Sequence, residues 1–210
     1  MRNDMSIRSC FVLPALAFLA GALAAGAQTT ADRPAELCVG GQPNAPVRIE
    51  VFSDFQCPAC RAFFLETILP VIANYGRDNR VCLIYHDFPL NIHTHARAAS
   101  RYAVAARQLG TDAWLRVCDA LYSEQAAWAD NGQIEPVVSR SVSADEMGRL
   151  KKLLESPSIE RMIDQEAALA TQRQIRSTPT FFIVANGREQ RVVGGVSYPI
   201  LRDYLDRLLK

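Results

Sequence analysis

The chain has 210 residues, and 49% of them are hydrophobic, enough for one sizeable core or a core with an inserted subdomain. Its 23 Lys and Arg stand against 22 Asp and Glu, a balance that gives no electrostatic case for nucleic acid or an anionic membrane surface as partner. No repeat of solenoid period and no low-complexity tract interrupts it.

Arg2 and Arg8 precede an apolar run from Phe11 to Ala25, and Ala25-Gly26-Ala27 then supplies a small-x-small cleavage pattern. Residues 1–27 therefore read as a signal peptide, with the run too short for a spanning anchor. Export is expected, to the periplasm or beyond, with the remaining chain soluble and uncharged overall. Five cysteines remain after cleavage: Cys38, Cys57, Cys60, Cys82 and Cys118. An odd number in an oxidising compartment leaves at least one unpaired or functional.

Residues 28–46 are polar and rich in Pro and Gly, and read as an extended lead-in. Val47 to Phe52 reads as a strand. After Cys57-Pro58-Ala59-Cys60, the residues Phe63, Phe64, Leu65, Ile68, Leu69 and Ile72 recur at helical spacing. Pro70 is expected to kink that helix and Gly76 to stop it. Val81 to Tyr85 is a second strand. Residues 93–155 are Ala-rich and helical in pattern, with a Ser143/Glu146 capping box opening one of the helices. Pro157 opens another, running to about Gln174. Thr180 to Val184 is a strand, Asn186-Gly187 a hairpin turn and Gln190 to Val193 the return strand. Ser197 is expected to cap a final helix. The order β-α-β, helical block, helix, β-β-α leaves a four-stranded mixed sheet with helices on both sides once the block is removed. The parts are then 47–92 and 156–210 for the sheet domain and 93–155 for the insertion.

A Cys-x-x-Cys at a helix start has a specific chemistry. Unpaired N–H groups and the helix dipole favour a thiolate at the first sulfur, and the second lies a turn further in, able to close a small ring or resolve a mixed disulfide. Cys57 is thus the expected nucleophile, exposed and of low pKa, and Cys60 the resolving thiol. Zinc needs further ligands, and only His93-x-His95 is on offer. A lone His86 or His93 reads as an ordinary core or surface residue, and Trp114 and Trp128 as helix packing. Cys82 and Cys118 both sit on apolar faces. They read as buried thiols or, in an oxidising compartment, as a Cys82–Cys118 bridge; sequence does not fix the connectivity.

The segment Phe52-Ser53-Asp54-Phe55-Gln56-Cys57-Pro58-Ala59-Cys60 closely resembles the active-site segment of DsbA-family thioredoxin-fold proteins. Asp87-Phe88-Pro89-Leu90 looks like the segment after that family's second strand. The Ala-rich block lies where the family carries its inserted helical domain, and Ser177-Thr178-Pro179-Thr180-Phe181-Phe182 looks like its cis-proline loop. Together these cover about residues 40–210. The resemblance implies an α/β thioredoxin-like fold with an inserted helical subdomain. It implies thiol–disulfide exchange at Cys57 and Cys60, with Pro58, Ala59, Thr178 and Pro179 meeting the substrate. It also implies a dithiol oxidase for reduced, unfolded exported proteins, acting as a monomer without metal or organic cofactor, and reoxidised by a membrane quinone-linked partner of the DsbB or VKOR-like type. An isomerase or reductase, or a redox-silent binding or chaperone module on the same fold, are the alternatives. Two residues depart from the family. Where it commonly buries a glutamate beneath the cysteines this chain has Val51, with Glu50 one residue earlier and so expected on the opposite face of the strand. Where strong oxidants commonly place a histidine, it has Ala59, which predicts a milder oxidant.

Overall fold

The computed structural model describes Met1 and residues 38–210; the expected signal peptide, Cys10 and most of the lead-in lie outside the described residues. Residues 38–210 all fall in one compact unit.

The chain runs β1 (Val47–Ser53), α1 (Pro58–Phe63), α2 (Leu69–Val71), β2 (Val81–Asp87), α3 (Ala96–Leu109), α4 (Thr111–Ser123), α5 (Gln125–Trp128), α6 (Ile134–Ser141), α7 (Ala144–Leu154), α8 (Pro157–Gln172), β3 (Thr180–Ala185), β4 (Arg188–Val193) and α9 (Tyr198–Leu208). The sheet order is β2-β1-β3-β4. β1 and β2 are parallel, whereas β3 runs antiparallel to both β1 and β4. The parallel pair needs a crossover, which the helical stretch from Pro58 provides, and Asn186 and Gly187 turn β3 into β4 with positive φ at both positions.

Period-two alternation sorts the strands into two faces. Val47, Ile49 and Val51 of β1, Leu83 and Tyr85 of β2, and Phe181 and Ile183 of β3 join the main core with Cys57, Cys60 and the apolar sides of α3, α4 and α6. Phe52 and Phe182 face the other way, against Ala170 and Ile175. Trp114 and Trp128 are both fully buried in the main core, as packing residues.

The helix after the cysteines does pass through Pro70. It does so with π-helical turns at Phe64–Ile68 and Ile72–Gly76 on either side of α2, in place of a simple kink. Proline lacks the N–H that an α-helical ladder requires, and a wider turn accommodates that loss. The Ser143/Glu146 capping box on α7 is present in both directions. Ser197 does occupy the N-cap of α9, but its side chain makes no capping hydrogen bond.

The cysteine pairing settles what the sequence left open. Cys38 is bonded to Cys82, and Cys118 is a free thiol, fully buried. Alternation explains why Cys82 and Cys118 do not meet. Cys82 clusters with Cys38 and Ile84 on one side of the sheet, whereas Cys118 belongs to the main core on the other. The bridge fastens the chain before β1 to the sheet edge, where Val39 N–H donates to Leu83 O and Leu83 N–H to Gly40 O, at 2.7 and 2.8 Å. Gly41 follows with φ +81°, and a Cβ there would lie 2.0 Å from the Val81 carbonyl oxygen, so only glycine fits this approach.

Candidate active site

Cys57 is the N-cap of α1, with extended backbone angles, and Pro58 takes the first helical position. This is the arrangement that leaves N–H groups unpaired at the first turn, and proline there forfeits no hydrogen bond. Both sulfurs are free thiols. Cys57 is 9% exposed and Cys60 0%. The expectation of an exposed nucleophile therefore holds only by comparison with Cys60, since the core and the cis-proline loop cover most of Cys57. Pro58 and Ala59 between them are exposed.

The Cys57 thiol is pushed down to about 5, first by its hydrogen bond with Cys60 and then, against the opposing effect of burial, by the N–H groups of Cys60 and Ala59 and the Thr178 side chain. Cys60 is driven far above its ordinary value, chiefly by burial and then by its hydrogen bond to Cys57 and the charge there; Ser53 and Thr178 act in the other direction. The two thiols therefore divide the work, one thiolate and one thiol.

The Thr178–Pro179 bond is cis, and the Cys57 Sγ lies 3.5 Å from the Thr178 carbonyl oxygen. Gly194 N–H donates to the Pro179 carbonyl at 2.8 Å, and Thr180 Oγ1 to the Ser177 carbonyl at 2.7 Å, so the loop is held from both sides. The Thr178 hydroxyl is buried and makes no conventional hydrogen bond. The structure thus brings Cys57, Cys60, Pro58, Ala59, Thr178 and Pro179 to one place.

Residues before the cysteines hold the turn, and sequence reading gave them no role. Asp54 is wholly buried. One of its carboxylate oxygens accepts from Gln56 N–H, and the other from Leu90 N–H and from His93 Nδ1 at 2.8 Å. His93 thus braces a loop. Gln56 reaches into the helical insertion: its Nε2 donates to Ala129 O and its Oε1 accepts from His95 N–H, both at 2.7 Å. Gln125 donates to the carbonyls of Phe55 and Cys57 at 2.7 and 3.2 Å. The available signal was polar residues inside an otherwise apolar strand-to-helix junction, where buried polar groups must find partners.

Val51 and Glu50 fall on opposite faces, as the alternation requires. Val51 packs in the core that holds the cysteines, while Glu50, also fully buried, is ion-paired with Arg173 and with Arg48. Arg173 lies 3.5 Å from the Phe182 ring centroid, which fixes this pair on the far face. His86 stacks on Phe52 on that same face.

The sequence model of a thioredoxin family matches residues 35–194. Among curated proteins, the "Probable disulfide bond formation protein D" of Bacillus cereus is 24% identical over 150 residues, 70% of this chain and 69% of the relative. The "Disulfide bond formation protein D" of Bacillus subtilis is 18% identical over 81% of this chain and 76% of its own length. Among solved structures, alpha-DsbA1 of Wolbachia pipientis superposes with a TM-score of 0.67 at 17% identity, covering 80% of this chain and 88% of that one. A thioredoxin-like oxidoreductase from Silicibacter pomeroyi gives 0.60 at 26% identity, covering 80% and 88%.

Proposed function

The chain belongs to the thioredoxin family and is a thiol–disulfide oxidoreductase, and on that premise we propose that it works as an exported dithiol oxidase, passing the Cys57–Cys60 disulfide to thiols of reduced, unfolded proteins. The observation that carries this reading is the division between the two sulfurs. A thiolate at Cys57 beside a protonated, fully buried Cys60 stabilises the dithiol form, and a stabilised dithiol form makes its disulfide oxidising.

The cycle begins with a substrate thiolate attacking Cys57 Sγ of the disulfide and displacing Cys60, which takes up a proton. Its low pKa makes Cys57 the better leaving group, so a second substrate thiol displaces it readily from the mixed disulfide. The substrate leaves with a disulfide, and both cysteines are reduced. Exposed Pro58 and Ala59 offer an apolar surface with no side-chain charge, suited to unfolded chain, and the Thr178–Pro179 backbone lies alongside. Reoxidation falls to a membrane quinone-linked partner of the DsbB or VKOR-like type. The apolar run of residues 11–25 supports export.

The test is a redox equilibrium with glutathione together with oxidation of a reduced, unfolded substrate. The dithiol is expected to dominate at a glutathione poise where thioredoxin would be a disulfide, and Cys57→Ser is expected to abolish substrate oxidation. An equilibrium as reducing as thioredoxin's would overturn the oxidase reading in favour of a reductase.

A further inference from the structure

Three hydroxyls lie in a row in the core that also holds Cys60, where the Tyr122 ring packs on Phe64, one helical turn after that cysteine. Ser53 Oγ is 2.9 Å from Tyr122 OH, which is 2.6 Å from Tyr85 OH. All three residues are buried, Ser53 at the end of β1, Tyr85 on β2 and Tyr122 on α4 of the insertion. We propose that this hydroxyl row ends on the resolving sulfur, with Ser53 as the catalytic hydrogen-bond donor to the Cys60 thiolate and Tyr122 and Tyr85 as positioning residues that orient it. The inference rests on the exchange chemistry proposed above.

Proton counting carries the argument. The three hydroxyls have three protons, and their two O···O links use two. Among the described residues, their only oxygen or nitrogen side-chain partners are one another. With Tyr85 donating to Tyr122 and Tyr122 to Ser53, the remaining proton sits on Ser53, free for sulfur. In the mixed disulfide, where Cys57 is no longer a thiolate accepting from it, the Cys60 S–H donates to Ser53 and the row reverses. Neither phenol competes as an acid, because burial pushes both well above their ordinary value. A donor chain aligned in one direction strengthens each link, most of all where it meets a buried charge.

The groups acting on Cys60 are Cys57 on its own helix, Ser53 on β1 and Thr178 from the cis-proline loop, with Tyr85 and Tyr122 behind Ser53. No carboxylate is among them, and Glu50 is engaged on the far face. Yet resolution requires Cys60 to ionise. Its proton leaves to water, and the thiolate attacks Cys57 Sγ of a Cys57–S–S–R mixed disulfide. The Cys57–Cys60 S–S bond forms, the S–S bond between Cys57 and the R sulfur breaks, and R–S⁻ departs and takes a proton from water. Cys60 is oxidised and the R sulfur reduced, with no further electron carrier. The Ser53 donor lowers the cost of the first of these events.

The experiment is single-turnover ring closure. The Cys57–glutathione mixed disulfide is made at acid pH, the pH is raised, and released glutathione is followed. Ser53→Ala is expected to slow closure about tenfold or more, the worth of one hydrogen bond to a buried charge. Tyr122→Phe is expected to slow it a few-fold, and Ser53→Thr, which keeps the hydroxyl, to restore it. Iodoacetamide labelling of Cys57 should be unchanged. Closure at the wild-type rate in Ser53→Ala and Tyr122→Phe overturns the proposal, as does equal slowing by Ser53→Ala and Ser53→Thr. Should Ser53→Ala not fold, Tyr122→Phe alone decides between the same outcomes. A wild-type protein that never closes its ring would instead refute the exchange activity itself.

Discussion

At the scale of single residues, the chemistry of Cys57 comes from backbone and from its partner thiol. Ala59 has neither charge nor side-chain donor, so the Cys60 thiol and the N–H groups of Cys60 and Ala59 act without help from a side chain between the two cysteines. With the Cys57 pKa lowered from 9.0 to about 5, the folded dithiol carries a thiolate between those values that an unfolded chain would protonate. The resulting stabilisation is complete above about pH 9 and is lost as pH falls through 5; the disulfide form has no such group. Thiolate absorbance of the reduced protein is therefore expected to rise with a midpoint near pH 5, and urea denaturation to show the dithiol form gaining on the disulfide form from pH 5 to 8. A midpoint near the ordinary thiol value would show that the helix start does not hold the charge. Ala59→His should add a cation beside the sulfur, lower the midpoint further and move the glutathione equilibrium toward the dithiol. An equilibrium that stays put, or moves toward the disulfide, would mean that Ala59 does not limit the oxidising power.

At the scale of elements, the joint between the sheet and its helices is a buried ion cluster. Asp87 ends β2, Arg107 lies near the end of α3 and Glu166 is on α8. One guanidinium spans the two carboxylates, 2.7 Å from each, and Glu166 also accepts from the Asp87 N–H at 2.6 Å. Two carboxylates against one cation leave a negative excess in the interior. Burial first, and then the charge of Glu166, push the Asp87 carboxyl up to about 8. A folded pKa above the unfolded one means that the folded protein holds the proton more tightly. The stabilisation from that proton is complete below about pH 4 and is lost as pH rises through 8. Asp87→Asn keeps a hydrogen-bond acceptor for Arg107 but removes the titration. Its stability should fall less than that of the wild type between pH 4 and 8, measured by urea denaturation at each pH. Equal slopes would show that Asp87 stays ionised. Arg107→Ala leaves the Asp87–Glu166 acid pair without its cation and should cost about 3–5 kcal/mol, the range for breaking one side of a buried pair.

At the scale of the whole molecule, what could be read in advance divides along the range of the interactions. Elements that depend on neighbours in sequence were legible: the strand into Cys57, the Ser143/Glu146 box, the Asn186-Gly187 turn and the opposite faces of Glu50 and Val51 all follow from local pattern. Contacts far apart in sequence were not, apart from the cis Thr178–Pro179 loop beside Cys57, which the family resemblance implied. Nothing in the pattern of α4 says that Tyr122 meets Ser53 across 69 positions, or that Gln125 closes on the Phe55 carbonyl across 70. The Cys38–Cys82 bridge is of this second kind, because connectivity depends on which side of the sheet each sulfur faces. Its place in the molecule also bounds what it does. It lies with Ile84 on the side of the sheet away from the Cys57–Cys60 core, and it closes a loop with a sequence separation of 44 that contains β1 and the active-site turn. By loop-closure entropy such a link restricts the unfolded chain by about 4 kcal/mol, of which native proteins commonly realise 2–4. Replacing both cysteines by serine should therefore lower the unfolding free energy by about 2–4 kcal/mol in urea. The Cys57 thiolate midpoint and the glutathione equilibrium should stay as they are, because no group that sets them is touched. A variant of unchanged stability, or one whose glutathione equilibrium shifts with the bridge removed, would show instead that this second disulfide is coupled to the first.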